Sequence, residues 1–224
     1  MSRILAINSA SDFCSAAIFD AGEVTVRSGI TQRGHGDAVL DMIDQILKQT
    51  DINKSTIDAL AFACGPGAFT SLRIGAGITQ GIAVGIDRPI VPISSLAALA
   101  HGVFRNHQRQ RSLVAIDARM DQVYFAAYET TRLGDTQLVS EVRVCDPVDL
   151  RWPNGAWASV GIGWEVYAEE IQADKQLKYL GVGAEDSAID VAYLAESIVD
   201  EGKALSPEYA LPVYVRDRVV HTSS

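Results

Sequence analysis

The chain has 224 residues, of which 48% are hydrophobic and 21% are charged, so it can bury a sizeable core. Its 28 acidic residues outnumber its 19 basic residues, and a net charge of −9 argues against a protein that grips nucleic acid by itself. Three cysteines without metal-ligand spacing argue against a zinc site, and no apolar stretch is long enough for a membrane span, so we expect a cytoplasmic protein without bound metal.

Three strands and a helix are predicted at the start of the chain. Alternating apolar residues predict strands at Arg3–Asn8, Phe13–Asp20 and Glu23–Gly29. Apolar residues at helical spacing predict an amphipathic helix over Asp37–Gln49. The apolar run Ala59–Cys64 then has the length and the boundaries of a buried strand.

A glycine-rich turn, Gly65-Pro66-Gly67, links this strand to a second helix predicted over Thr70–Ile86, with Thr70 or Ser71 as its N-cap. A strand, a tight turn and a helix N-terminus together direct backbone N–H groups toward an anion. The turn and Ser71 are therefore a candidate phosphate or nucleotide loop. The alternative is a tight connection whose glycines supply backbone freedom and nothing more. The residues alone leave both alternatives open.

Three glycines recur at every fourth position of the second helix: Gly77, Gly81 and Gly85. Each glycine in a helix interior costs about 1 kcal/mol relative to alanine, so three on one face require a compensating close approach. The approaching group could be the chain's own sheet or the helix of another chain. The sequence gives these two alternatives about equal weight.

The order of strands followed by helices occurs twice along the chain. A strand at Ile90–Ile93 and a helix capped by Ser94 or Ser95 complete the first block. The second block has three predicted strands and two predicted helices: Leu113–Asp117, Gln122–Tyr128, Leu138–Val144, Trp164–Ala173 and Ala188–Glu201. The repetition predicts a duplicated α/β unit with one lobe at residues 1–108 and another at residues 109–224. The last segment of the second lobe is a candidate for packing back on the first.

Two blocks that open with strands and close with helices resemble the actin-like ATPase superfamily. The resemblance implies an α/β, ribonuclease H-like duplicated fold, with two lobes that each contain a mixed sheet flanked by helices. Enzymes of this superfamily use carboxylates near the first strand to hold Mg²⁺. Here that strand ends in Asn8, whose amide brings no charge to a divalent cation. The order of strands and helices favours the actin-like architecture, whereas Asn8 weakens the case for phosphoryl transfer.

Six segments, in this order, resemble those of the TsaB (YeaZ) family. They are the opening strand with its Ser-rich turn, LAINSAS (5–11), then HGDAVL (35–40), GPGAFTSLRIG (65–75), PIVPISSL (89–96), IDARMDQVY (116–124) and LPVYVR (211–216). The resemblance implies a role in forming N6-threonylcarbamoyladenosine at position 37 of tRNAs that read codons beginning with A. Two positions depart from common family residues, because Asn8 replaces Asp and Ser71 replaces Gly.

The resemblance also implies that the chain is a non-catalytic scaffold or activator, a pseudoenzyme. The catalytic paralogue, TsaD, binds metal through two histidines four residues apart. Ser95 and Leu99 occupy the matching positions here, and leucine cannot ligate a metal. The implied partners are a TsaD-like synthase in a heterodimer and a TsaE-like ATPase, with a homodimer when the chain is alone. Contact with tRNA is then only indirect, no cofactor is expected in the isolated chain, and ATP or ADP could bind at the complex interface.

In this family two helices of the first block form the partner interface. Here they are the helices predicted over Asp37–Gln49 and Thr70–Ile86. The implied interface residues are Leu40, Ile43, Leu47, Arg73, Gly77, Gly81 and Gly85. Two other functions remain as alternatives. One is an actin-fold ATP-dependent phosphotransferase that uses the Gly65-Pro66-Gly67 turn. The weaker one is a metalloprotease, against which the missing histidine pair argues.

Overall fold

The computed structural model describes residues 2–31, 34–171, 177–181, 183 and 187–215. The first sheet is built from the strands β1 (Ile4–Asn8), β2 (Phe13–Asp20), β3 (Glu23–Ile30), β4 (Ala59–Gly65) and β5 (Ile90–Ser94). Their order is β3-β2-β1-β4-β5, with β1 to β3 antiparallel and β4 and β5 parallel to β1. Every residue of β1 and β4 is buried, because helices cover both faces of the sheet.

The second sheet has the same topology. Its strands are β6 (Arg111–Arg119), β7 (Gln122–Arg132), β8 (Asp135–Leu138), β9 (Arg143–Cys145), β10 (Ala158–Val160) and β11 (Lys178–Tyr179). The order β8-β7-β6-β10-β11, with β6 to β8 antiparallel and β10 and β11 parallel to β6, repeats that of the first sheet, and β9 pairs with β7. The repeat confirms the predicted duplicated, actin-like fold.

Within the described residues, six α-helices cover the two sheets. They are α1 (His35–Thr50), α2 (Phe69–Ile86), α3 (Ser95–His107), α4 (Gly163–Val166), α5 (Ala168–Ile171) and α6 (Ser187–Asp200). Helices α1 and α2 pack on one face of the first sheet, and α4 and α5 pack on one face of the second. None of the helices in the described ranges is long and apolar enough to cross a membrane.

The helices α3 and α6 are exchanged between the sheets. Helix α3 follows the last strand of the first sheet, yet its buried residues pack on β6, β7 and β10 of the second. Helix α6 follows the last strand of the second sheet and covers the free face of the first. The boundary at residue 108 stays a prediction, and a cut there would separate both helices from the sheets that they cover.

Two predicted elements differ from the structure. The strand predicted over Leu138–Val144 is wrong, because β8 ends at Leu138 and β9 begins only at Arg143. Between them the hydroxyl of Ser140 accepts a hydrogen bond from the backbone N–H of Ala127 at 2.9 Å. A side chain there takes the place of the backbone carbonyl that would accept this bond in a continuous strand. The helix predicted over residues 164–173 is divided into α4 and α5, and residues 172 and 173 lie outside the described residues.

A buried carboxylate joins α3 to α6 where the two helices cross. Asp190 accepts hydrogen bonds from Nδ1 of His101 at 2.7 Å and from Nε and Nη2 of Arg105 at 2.9 and 3.0 Å. The Nε2 atom of His101 accepts the N–H of Gly134, in the β7–β8 turn, at 3.0 Å, so the ring proton lies on Nδ1. A Cβ added at position 102 would lie 3.0 Å from the Asp190 carboxylate, which explains why this position is a glycine.

We expect Asp190→Ala to lower the free energy of unfolding by about 3–5 kcal/mol, because it leaves His101 and Arg105 without their shared acceptor. Urea denaturation followed by circular dichroism measures the change. The matched control is Glu201→Ala, which removes a carboxylate from an exposed pair with Lys203 and should change stability by less than about 1 kcal/mol. Equal effects of the two substitutions would show that the Asp190 network contributes little.

Candidate functional site

The glycines of the Gly65-Pro66-Gly67 turn lie against backbone from two distant segments. Gly65 has a φ of 118°, and a Cβ added to it would lie 2.6 Å from the carbonyl oxygen of Val213. A Cβ added to Gly67 would lie 2.5 Å from the carbonyl oxygen of Ala10. Both positions therefore require glycine for packing within the chain, which supports the interpretation as a tight connection. A phosphate at this turn stays an untested prediction.

Backbone hydrogen bonds hold the two segments against the turn. The N–H of Val213 donates to the carbonyl of Cys64 at 2.7 Å, and the N–H of Ala68 donates to the carbonyl of Ala10 at 2.9 Å. The amide of Ala68 is one that an anion at the start of α2 would need. It is already occupied by a bond within the chain.

The residue that precedes α2 is Ala68, so the prediction that Thr70 or Ser71 is the N-cap is wrong. The helix begins one residue earlier because Ala68 is fixed by its bond to Ala10 and accepts the N–H of Leu72 at 2.9 Å. Ser71 is buried in the first turn, where its carbonyl accepts the hydroxyl of Ser9 at 2.8 Å.

The side chain of Asn8 is also used within the chain. It is buried at the end of β1, where its Nδ2 donates to the hydroxyl of Ser187 and its Oδ1 accepts the N–H of Ala10 at 2.9 Å. The hydroxyl of Ser15 on the neighbouring strand accepts the N–H of Ala188 at 3.1 Å. The end of the first sheet therefore fixes the start of α6, and Asn8 contributes no negative charge there.

Neither the buried cysteines Cys14 and Cys64 nor the histidine-pair positions offer reactive groups. Burial raises the pKa of the Cys64 thiol to about 11 and raises that of Cys14, so both stay protonated at neutral pH. Ser95 and Leu99 are both buried, and Leu99 packs in the apolar cluster between α3 and the second sheet. Within the described ranges, no group of three or more His, Cys, Asp or Glu side chains is arranged to hold a metal ion.

The three glycines of α2 face outward. A Cβ added to Gly77, Gly81 or Gly85 would meet no atom within 4 Å among the described residues. The opposite side of the helix, which includes Ala76 and Ala83, is buried against the first sheet. The glycines therefore do not serve a close approach to the chain's own sheet, and no described residue fills the space that they leave.

Two residues of the predicted interface belong instead to the core. Ile43 and Leu47 are 5% and 8% exposed and pack with the first sheet, so assigning them to a partner-facing surface is wrong. The apolar face of α1 is the face that covers the sheet. Leu40 lies outside that face and is 48% exposed.

A half-exposed cluster lies at the start of α2. The guanidinium of Arg73 is 3.8 Å from the ring centroid of Phe69, and its Nε donates to the hydroxyl of Tyr214 at 3.0 Å. The two aromatic rings are 5.3 Å apart. Stacked arginine and aromatic side chains are enriched among residues that dominate protein interfaces. The sequence analysis did not predict either contact; the four-residue spacing of Phe69 and Arg73 on a helix could have indicated the first, whereas nothing near Tyr214 in the sequence signals the second.

We group these exposed residues of α1, α2 and the segment at Tyr214 under one name, the α1–α2 surface. It also includes Val84, which is 70% exposed beside the glycines and which sequence reasoning missed. Its members are Leu40, Phe69, Arg73, Gly77, Gly81, Val84, Gly85 and Tyr214. It combines apolar and aromatic side chains with a helix face that lets another backbone come close.

Comparison with known proteins identifies the family. The family model described as "TsaD: tRNA N6-adenosine threonylcarbamoyltransferase" matches residues 26–198. The tRNA threonylcarbamoyladenosine biosynthesis protein TsaB of Escherichia coli K12 is 34% identical over 222 residues, which cover 97% of this chain and 96% of that protein. The chain belongs to the TsaB (YeaZ) family. The TsaB of Haemophilus influenzae is also 34% identical, over 226 residues that cover 96% of this chain and 94% of that protein.

A solved structure agrees with this assignment. YeaZ from Pseudomonas aeruginosa is 32% identical and superposes with a TM-score of 0.88, covering 96% of this chain and 100% of that one. Three of the TsaB-like segments meet at the start of α2: the turn after β1, the Gly65-Pro66-Gly67 turn and the segment around Val213. The contacts described above show how these segments, far apart in sequence, are held together.

We expect opposite effects from alanine at the two kinds of glycine. Gly81→Ala should raise the free energy of unfolding by about 0.5–1 kcal/mol, because alanine favours an exposed helix interior. Gly67→Ala should lower it by about 1–3 kcal/mol, because the added Cβ meets the carbonyl of Ala10. Urea denaturation measures both. Destabilisation by Gly81→Ala would contradict an outward-facing glycine stripe.

Proposed function

We propose that this chain is a non-catalytic scaffold and activator of a TsaD-like synthase, which forms N6-threonylcarbamoyladenosine at position 37 of tRNAs that read codons beginning with A. The observation that carries the proposal is the outward glycine face of α2, since no packing within the described chain explains it. The relatives from E. coli and H. influenzae, both named for threonylcarbamoyladenosine biosynthesis, align over almost the whole chain and support the pathway.

The α1–α2 surface is the docking site in this proposal. Helices of the synthase pack against Gly77, Gly81 and Gly85, where the missing side chains let backbones approach closely. The Phe69–Arg73–Tyr214 cluster and Val84 then become buried and exclude water around the contact. Without the synthase, the same surface pairs two copies of this chain in a homodimer. A TsaE-like ATPase joins the assembly, and tRNA is bound through the complex.

The proposed lack of catalysis rests on the side chains at three positions. Ser95 and Leu99 are buried where a metal-binding histidine pair would be needed, and Asn8 is hydrogen bonded to α6 instead of presenting a carboxylate. ATP or ADP then binds at the complex interface, with the synthase supplying the ligands for the metal. The chain contributes the surface that holds the synthase in its active arrangement.

We expect Gly81→Leu to weaken binding of the TsaD-like synthase roughly 5- to 150-fold, because overpacking a close contact costs about 1–3 kcal/mol. The melting temperature should change little, since the new side chain points away from the core. Isothermal calorimetry with the purified synthase measures the affinity, and sedimentation of the isolated chain should show loss of the homodimer.

Lys54→Leu is the matched control, because it adds an apolar side chain at an exposed position away from α2 and should leave binding unchanged. A folded Gly81→Leu protein that binds the synthase as tightly as the wild type would refute the α1–α2 surface as the docking site.

We expect the isolated chain to bind ATP weakly, without dependence on Mg²⁺ and without hydrolysing it, because Asn8 supplies no charge for a cation. Calorimetry with and without Mg²⁺, together with a phosphate-release assay, measures this. Tight, Mg²⁺-dependent binding with turnover would favour the actin-fold phosphotransferase instead.

A further inference from the structure

A cleft of about 720 Å³ lies on the second lobe, apart from the α1–α2 surface. Its walls come from the end of α3, the segment before β6, the end of β7 and the starts of β10 and β11. The volume falls within the range of small-molecule sites. The proposed docking function makes no use of this cleft.

The cleft is positively charged on a chain whose net charge is −9. Arg109, Arg111 and Lys178 line it, and none of the described residues that line it is acidic, although the Glu129 carboxylate pairs with Arg111. Arg109 and Lys178 are exposed and make no ion pair within the described ranges. Two cations without an ion pair among the described residues, in the same concave site as Arg111, create a local positive potential despite the acidic surface elsewhere.

One of the three cations is held in position. The Arg111 guanidinium is 5.6 Å from the ring of Trp157, and its Nε is 3.5 Å from the Glu129 carboxylate. Trp157 is fixed in turn because its Nε1 donates to the carbonyl of Pro153 at 2.8 Å. Gly155 leaves room for the arginine, since a Cβ there would lie 3.1 Å from Nη1. These contacts restrict the Arg111 side chain, so it loses less conformational entropy when it binds an anion at the cleft.

We propose that this cleft binds a phosphate-bearing ligand, either the backbone of an RNA strand or a free nucleotide. The three cations contact phosphate oxygens, and the side chains of Gln108, Gln110 and Thr131 on the same walls bond to sugar or base. The proposal goes beyond the docking function and does not depend on it. If RNA is the source, this chain adds a direct contact to the tRNA that the complex holds.

A fluorescein-labelled 12-nucleotide oligouridine RNA tests the proposal by anisotropy with the full chain at 20–200 mM KCl. Three phosphate contacts predict that the logarithm of the association constant falls with the logarithm of salt concentration with a slope of about −2. The variant R109Q/R111Q/K178Q should bind roughly tenfold more weakly or worse, with a slope near zero. Because Arg111 also packs on Trp157, R109Q/K178Q is included as a second variant, in which that packing is intact.

The matched control is K48Q/K54Q/K203Q, which makes the same change in net charge at exposed lysines outside the cleft and should bind as the wild type does. AMP and inorganic phosphate serve as competitors. Displacement of the RNA by AMP at equal nucleotide concentration would support the cleft and identify a free nucleotide as its ligand. No binding of RNA, AMP or phosphate at 20 mM KCl, or equal losses in the cleft and control variants, would overturn the proposal.

Discussion

The placement of the two lobes depends on the buried carboxylate of Asp190. A carboxylate out of water is stable only when charged or polar groups satisfy it, and its partners Arg105 and His101 both come from α3. His101 also receives the N–H of Gly134 from the second sheet. Helix α3, helix α6 and the β7–β8 turn therefore share one network, and none of them can shift without breaking it.

On α2, the residues that stabilise the fold and the residues available for binding lie on opposite sides of the helix. The inner side of the helix, with Ala76 and Ala83, completes the core of the first sheet. The outer side carries Gly77, Gly81 and Gly85, which weaken the helix and contact nothing in the described chain. A helix under selection for stability alone would have alanine at these positions. The protein therefore retains three destabilising glycines on the outer side of α2, whose inner side is already fixed by packing in the core.

Features with a local signal could be predicted from the sequence, such as the apolar run of β4, the Ser94 cap and the repeated order of strands and helices. Features made by distant segments could not. The apolar pattern of α1 does not show whether a sheet or a partner covers Ile43. Arg73 and Tyr214 are separated by 141 residues, and no pattern in either segment indicates their contact. The Asp190 network could not be predicted either, because its residues also come from segments that are far apart in sequence.

The exchange of α3 and α6 governs the order in which the molecule can be completed during synthesis. A chain leaves the ribosome from its N-terminus, and N-terminal domains usually fold first. Here one face of the first sheet is covered by α6, which ends at Asp200, so β1 to β5 emerge long before their cover. The first lobe cannot finish its core alone, and both lobes close together when nearly the whole chain has been made. A nascent chain that stops before α6 exposes a bare apolar sheet face, the kind of surface that chaperones bind and that aggregates when left uncovered.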